Sequence, residues 1–333
     1  MKHAIPYGWL LAGLGLLVAI LFIASILIGA VSIAPGAALS ALAGDNDPLL
    51  VMVMQEIRLP RAILGLLLGA SLGLSGAAIQ GFLRNPLAEP GLIGTSASAA
   101  LGAVIAMQTG LAVALPLGLP MAALGGALLS VLVILMLAGT RSGALPLILA
   151  GIAISALAGA VTSLILNLSP NPFAANEIIF WMMGSLADRS MLHVWTVLPF
   201  FVIGTALLLS TRRGLDALTL GEDAAASMGV HVGRLRLALI FGVAALIGSM
   251  TAVAGAVGFV GLVVPHLLRR AVGASPSRLL IASALGGAAV ILAADIAVRV
   301  IAPGRDLKLG VLTALVGAPF FLHLIWRTRG EGL

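Results

Sequence analysis

Asp295 and Arg299 stand four residues apart in the stretch AADIAVR, the spacing at which an acid and a base meet on one helix face. A carboxylate inside an apolar span is expensive unless it is paired. The alternatives are a structural ion pair or a proton or ion relay, and the sequence offers no second intramembrane acid to extend a relay. Arg58 and Arg61 flank Pro60 at the start of another apolar run. Proline suits the first turn of a helix, but two cations there oppose the helix dipole. Helix stability therefore does not explain them; anchoring at the bilayer boundary could, with Glu56 as a partial neutraliser. Other reactive groups are sparse. The chain has no cysteine, five histidines and 12 acidic residues. No His-x3-His pair and no cluster of acids occurs, so an intramembrane hydrolase or a protein-held metal lacks its parts. His193, His266 and His323 have no paired spacing, which argues against axial haem ligation.

The most polar internal motif is TLGEDAAASMGV, residues 219–230. Thr219 and Glu222 have the spacing of a capping box, and Glu222 with Asp223 would sit in a first turn where the dipole favours anions. Ala225 and its neighbours favour helix, and Gly229 is placed to end it in a left-handed cap. The pattern predicts a helix of about two turns, preceded by another turn around 214–217. So short a helix is unstable alone in water and needs a partner surface, either this chain's own face or another subunit. Leu220 and Met228 are the apolar contacts it offers.

The elements around these residues are set by composition. Of 333 residues, 61% are hydrophobic and 9% charged, and the mean hydropathy is +1.18. A soluble domain carries about 25% charged residues, so lipid is the expected solvent. A net charge of +6 is scattered between apolar runs, which excludes a nucleic-acid stripe. Apolar runs lie at about 9–33, 61–82, 91–108, 113–138, 145–167, 191–210, 236–257, 259–269, 278–300 and 308–326. The first is too long for a cleaved leader and is read as a span. The eighth is short and could join the seventh through Gly255, Gly258 and Gly261. Ten spans put both termini on one side. If that side is the cytoplasm, twelve Lys and Arg face inward and six outward, as the positive-inside rule requires. The expectation is an all-α membrane protein of about ten spans, a single domain over 1–333 with a cytoplasmic segment at 211–233 and an outer loop at 168–190. That loop should hold a short helix near 174–184. Gly65, Gly69 and Gly73 recur every four residues and predict close helix packing in the middle of the bundle. RNPLAEP, residues 84–90, must be a bent cytoplasmic connection, because proline cannot continue a helix.

RLPRAILGLLLGASLGLSGAAIQGFLRNPLAEPGLIG (58–94), LGEDAAASMGV, GFVGLVVPHLLR (258–269), AADIAVR and GVLTALVGAPFF (310–321) resemble, in order and over nearly the whole chain, the permease subunits of FecCD-type (type II) ABC importers for ferric siderophores, haem and cobalamin. The resemblance implies a subunit paired with a second copy, with substrate crossing between the copies. It implies a cytoplasmic ATPase dimer that receives the segment Thr219, Leu220, Gly221, Glu222, Asp223, Ala225, Met228 and Gly229, and a periplasmic binding protein that docks on Arg58, Arg61 and Arg299. Arg305 could add to that docking surface. It places an inner gate at Asn85, Leu87, Ala144 and Leu145, and an outer gate helix in the 168–190 loop. Thr162, Ser163 and Asn167 are the polar groups available to a path along the fifth and tenth spans. No G-x4-G-K-[ST] phosphate loop is present, so ATP and Mg would be bound by the partner and no cofactor by this chain. Asp306 and Lys308 depart from the family pattern, which has Glu and Pro there. A ferric siderophore or haem is the first expectation for cargo and cobalamin the second. A secondary transporter without an ATPase is the rival, and it needs functional carboxylates within the bundle.

Overall fold

The computed structural model describes residues 6–29, 31–45, 47–138, 144–301 and 307–328. Arg305 and Asp306 lie outside the described residues, as does the side chain of Ala144. The described chain is helical, with no strand among those residues. In order come α1 (Tyr7–Leu27), α2 (Pro35–Ala43), α3 (Pro48–Met52), a π turn (Val53–Arg58), α4 (Leu59–Leu83), a 3-10 turn (Pro90–Ile93) and α5 (Thr95–Gln108). Next are α6 (Leu111–Ala114), α7 (Gly118–Ala138), α8 (Ala144–Asn167), α9 (Pro172–Met182) and α10 (Met191–Ser210). The last are α11 (Arg212–Leu218), α12 (Glu222–Ser227), α13 (Val232–Ala254), α14 (Val260–Arg269), α15 (Pro276–Ile301) and α16 (Leu309–Thr328).

Seven of these segments are long and apolar enough to cross a bilayer: α1, the run Pro48–Leu83, α7, α8, α10, α13 and α15. The shorter apolar helices α5, α14 and Leu309–His323 of α16 account for the other three runs of the sequence. The seventh and eighth runs do not join. α13 stops at Ala254, and Gly255 has φ +74°. Four further residues precede α14, the last of them Phe259 with φ +68°. A chain leaving one helix at such angles cannot propagate the i to i−4 hydrogen bonds into the next.

α4 runs through the middle, and nearly every residue from Leu64 to Phe82 is buried. Lipid gives helices no hydrophobic reason to associate, so close packing of small residues must do it. A methyl group at Gly69 would overlap the Gly287 carbonyl of α15, and one at Gly73 the Ser283 carbonyl. On another face Gly76 meets the Gly261 carbonyl of α14 in the same way. α1 is apolar all round and lies at the periphery, with Trp9, Leu16 and Ile23 exposed, as expected where the solvent is hydrocarbon.

Contacts sort the helix ends into two sets. At one end the Tyr7 hydroxyl donates to the Arg278 carbonyl at 3.0 Å, Asp216 accepts from the Ser277 amide at 2.9 Å, and Leu215 covers Gly81. This end therefore holds the starts of α1, α13 and α15, the end of α4, and α11 with α12. At the opposite end Arg58 and Arg299 reach the C-terminus of α1, and Ser185 donates to the Ala254 carbonyl at 2.8 Å.

Candidate functional site

The segment 219–229 folds as a short helix on the first of these ends, but not through the capping box expected from its sequence. α11 continues to Leu218, and Thr219 keeps right-handed helical angles as its C-cap. The Thr219 hydroxyl accordingly donates back to the Asp216 carbonyl at 2.7 Å and cannot cap α12. Gly221, at φ +109° and ψ 161°, is the N-cap instead, an angle pair that glycine alone adopts without strain. α12 covers Glu222–Ser227, a little under two turns. Gly229 takes the left-handed conformation, φ +84°. Its amide donates to the Ala226 carbonyl at 2.9 Å, and the Val230 amide to Ala225 at 3.0 Å, which closes the C-terminus.

One residue fixes α12 to the bundle. Ala225 is fully buried in the core that also holds Leu215, Leu218 and Leu235. Leu220 and Met228 are 70% and 54% exposed, while Glu222 and Asp223 are also exposed. The segment thus rests on one alanine and presents two large apolar side chains and two acids to the outside.

At the same end of the bundle is the turn after α4. Arg84 takes a left-handed angle, φ 49°, and the Asn85 side-chain oxygen accepts from the Leu87 amide at 2.9 Å. Asn85 and Leu87 are exposed. Ala144 begins α8, and Leu145, next to it, is 65% exposed. The RNPLAEP segment does not stay at the surface throughout. Pro90 packs its ring on Gly261, which also faces the Leu72 carbonyl, and this brings residues 89–93 back among the helices. Glu89 then accepts a hydrogen bond from the Phe259 amide at 3.0 Å. Asp295 is thus not the sole carboxylate inside the bundle. Sequence spacing could not reveal this, because the two residues are 170 positions apart.

At the opposite end, Asp295 is 1% exposed and is held by two guanidinium groups. Arg299 pairs with it at 2.9 Å, at the i, i+4 spacing. Arg61 pairs at 2.8 Å and donates from both Nε and Nη2. Glu56 is exposed and forms no ion pair among the described residues; the neutralising acid is Asp295. Arg299 also donates to the Ser25 carbonyl, the Ser25 hydroxyl and the Ile28 carbonyl. Arg58 is 5% exposed and donates to the carbonyls of Ile26, Leu27 and Val31. The last turn of α1 leaves its carbonyls unpaired, and these two arginines satisfy them with the charge that a helix C-terminus favours. Arg58, which opposes the dipole of its own helix, thus serves the dipole of α1, and Arg299, in the last turn of α15, suits both helix ends. Arg61 keeps 18% side-chain exposure.

Of the α8 polar groups, Thr162 is buried within this chain at 6% exposure, whereas Ser163 and Asn167 are exposed and share one helix face. Asn171 is the N-cap of α9, and its side chain accepts from the Phe173 amide at 3.0 Å. Next to α9 lies a cavity of about 370 Å³ lined by Glu177, Trp181, Arg189, His193 and Lys308 among others. Lys308 stands 5.7 Å over the Phe180 ring. Arg189 donates to the Val253 carbonyl at 2.6 Å; burial lowers its proton affinity below the ordinary guanidinium value, and Asp188 partly restores it. No group of three or more His, Asp or Glu suited to a metal ion occurs among the described residues.

The model of the FecCD transport family matches residues 17–327. The chain belongs to that family. It is 40% identical over 277 residues to the cobalamin import system permease protein of Halobacterium salinarum, covering 82% of this chain and 73% of that protein. It is 39% identical over 332 residues to the ferric enterobactin transport system permease protein of Escherichia coli, covering 96% and 95%. A solved structure of an inward-facing ABC transporter of the metal-chelate type superposes with a TM-score of 0.84 at 33% identity, over 95% of this chain and 98% of that one. This FecCD chain is a multi-pass permease subunit of an ABC transporter, and its all-helical architecture is that of the family.

Proposed function

We propose that this chain works as one of two identical permease subunits in an importer driven by a separate cytoplasmic ATPase dimer. The observation that carries the reading is α12: a helix held by Ala225, with Leu220 and Met228 exposed at the end of the bundle that also carries the turn of Asn85 and Leu87. Thr219, Gly221, Glu222, Asp223 and Gly229 shape that handle, and ATP and Mg belong to the neighbour. In this reading the end carrying α12 and both termini faces the cytoplasm of a bacterial inner membrane. Asn85, Leu87, Ala144 and Leu145 close the inner mouth. A periplasmic binding protein meets the opposite end near Arg61 and Arg299, with Arg58 shaping the surface from beneath through α1. The second copy covers the exposed apolar faces of α8 and α16, which include Leu157, Leu164, Leu315 and Leu322, and the path between the copies receives Ser163 and Asn167, with Thr162 behind them.

The cargo we infer is a metal chelate, a ferric siderophore or haem, with cobalamin as the alternative. Relatives named for ferric enterobactin and for cobalamin are equally similar to this chain, so family membership supports the class and not the compound. A secondary transporter fits less well, because Asp295 is locked between two arginines and Glu89 is bound to an amide. The test is reconstitution of the pair with the ATPase in vesicles. Uptake of a chelate delivered by the binding protein should require ATP, and it should fail when Glu222→Arg and Met228→Glu are introduced together. Uptake in the absence of nucleotide would support the secondary transporter instead.

A further inference from the structure

Glu89 sits where the chain is most irregular inside the bundle. The Phe259 amide is the N-cap donor of α14, whose first half is buried among other helices. An N-terminal amide there has no intrahelical partner. Glu89 supplies one, at 3.0 Å. Three further contacts make this a junction. The Gly258 Cα hydrogens face the same carboxylate oxygen, with a Cβ there falling 3.6 Å from it. The Pro90 ring lies on Gly261. Phe259, at its strained φ of +68°, packs against Gly317, where a methyl group would overlap its Cβ. Gly76, midway along the inner half of α4, opposes Gly261, and Gly317 is near the middle of α16. The junction therefore lies well below either end.

Only four residues separate Glu89 from the end of the Asn85 turn's helix at Arg84, and Asn85 itself is bound to Leu87. The turn is short and tied at both sides. We propose that Glu89 is a positioning residue: its carboxylate latches the turn of Asn85 and Leu87 to the break before α14, and through Phe259 to α16. Movement of α14 or α16 is then passed to the turn, and the reverse. The strained Phe259 is the element that such a latch holds in place, because a non-glycine residue keeps a left-handed angle only where its surroundings enforce it. This goes beyond the importer reading and rests on it only for the meaning of the turn as a gate.

The test uses the full chain, assembled with its ATPase. The absence of cysteine allows spin labels at Leu87→Cys and Trp326→Cys, one on the turn and one on an exposed position of α16, diluted with unlabelled chain. Glu89→Ala should broaden the distance distribution between them, and Glu89→Gln, which keeps a carbonyl acceptor, should restore most of its sharpness. Uptake per ATP hydrolysed should fall about tenfold in Glu89→Ala, the factor that accompanies one unpaired buried donor, and recover in Glu89→Gln. A distribution unchanged in Glu89→Ala overturns the latch, as does equal loss in both variants. Absence of uptake by the unmodified chain would count against the importer reading alone, because the distance measurement still decides on the latch.

Discussion

Replacing Asp295 by alanine should destabilise the bundle in a way that replacing its partner reverses. Arg61 gives all of its described hydrogen bonds to Asp295, from Nε and Nη2. Arg299 spreads its bonds over Ser25 and Ile28 as well. Loss of the carboxylate thus strands Arg61 more completely than Arg299. Breaking a buried ion pair from one side costs about 3–5 kcal/mol, because an uncompensated charge is left behind. Arg61 retains 18% side-chain exposure and Arg299 10%, so both can turn partly outward. That places Asp295→Ala at the lower end, about 3 kcal/mol. Adding Arg61→Met removes the stranded charge while keeping an unbranched apolar stem, and the double variant should recover to within about 1–2 kcal/mol of the original. Unfolding by a denaturing detergent in mixed micelles, followed by tryptophan fluorescence, gives the three values. A double variant less stable than Asp295→Ala would refute the pairing argument, as would an Asp295→Ala change of only a few tenths of a kcal/mol.

The same packing sets further expectations. Gly73→Val should abolish folded protein in the membrane fraction, since even its first carbon overlaps the Ser283 carbonyl and backbone cannot yield as a side chain does. Gly29→Ala should cost about 1–2 kcal/mol, because its methyl group would come within 2.7 Å of the Arg58 guanidinium and displace at least one charge-assisted hydrogen bond. The same detergent titration reads it, and Gly13→Ala, where nothing lies within 4 Å, should leave stability unchanged or slightly raised.

Local signals carried much of this architecture in the sequence. Length and hydropathy locate ten apolar segments, and the recurring glycines mark α4 as a packing helix, because both depend on neighbours along the chain. Gly229 likewise announces the end of α12. Thr219 misleads for a physical reason. Its spacing to Glu222 suits a capping box, but α11 extends far enough to claim it, so Gly221 becomes the cap. What the sequence leaves hidden is long-range. Arg61 and Asp295 are 234 positions apart, and Arg58 satisfies the end of a helix some thirty residues earlier. Glu89 reads as a surface acid between two prolines until the fold brings Phe259 to it.

The central claim is that α12 is the place where an external ATPase grips this subunit. The most direct measurement places a single cysteine at Met228 in the cysteine-free chain and cross-links it in intact membranes. The account predicts one product joining this chain to the ATPase, and protection of the thiol from a membrane-impermeant reagent added outside. Labelling from outside the cell, with no joined product, would contradict it.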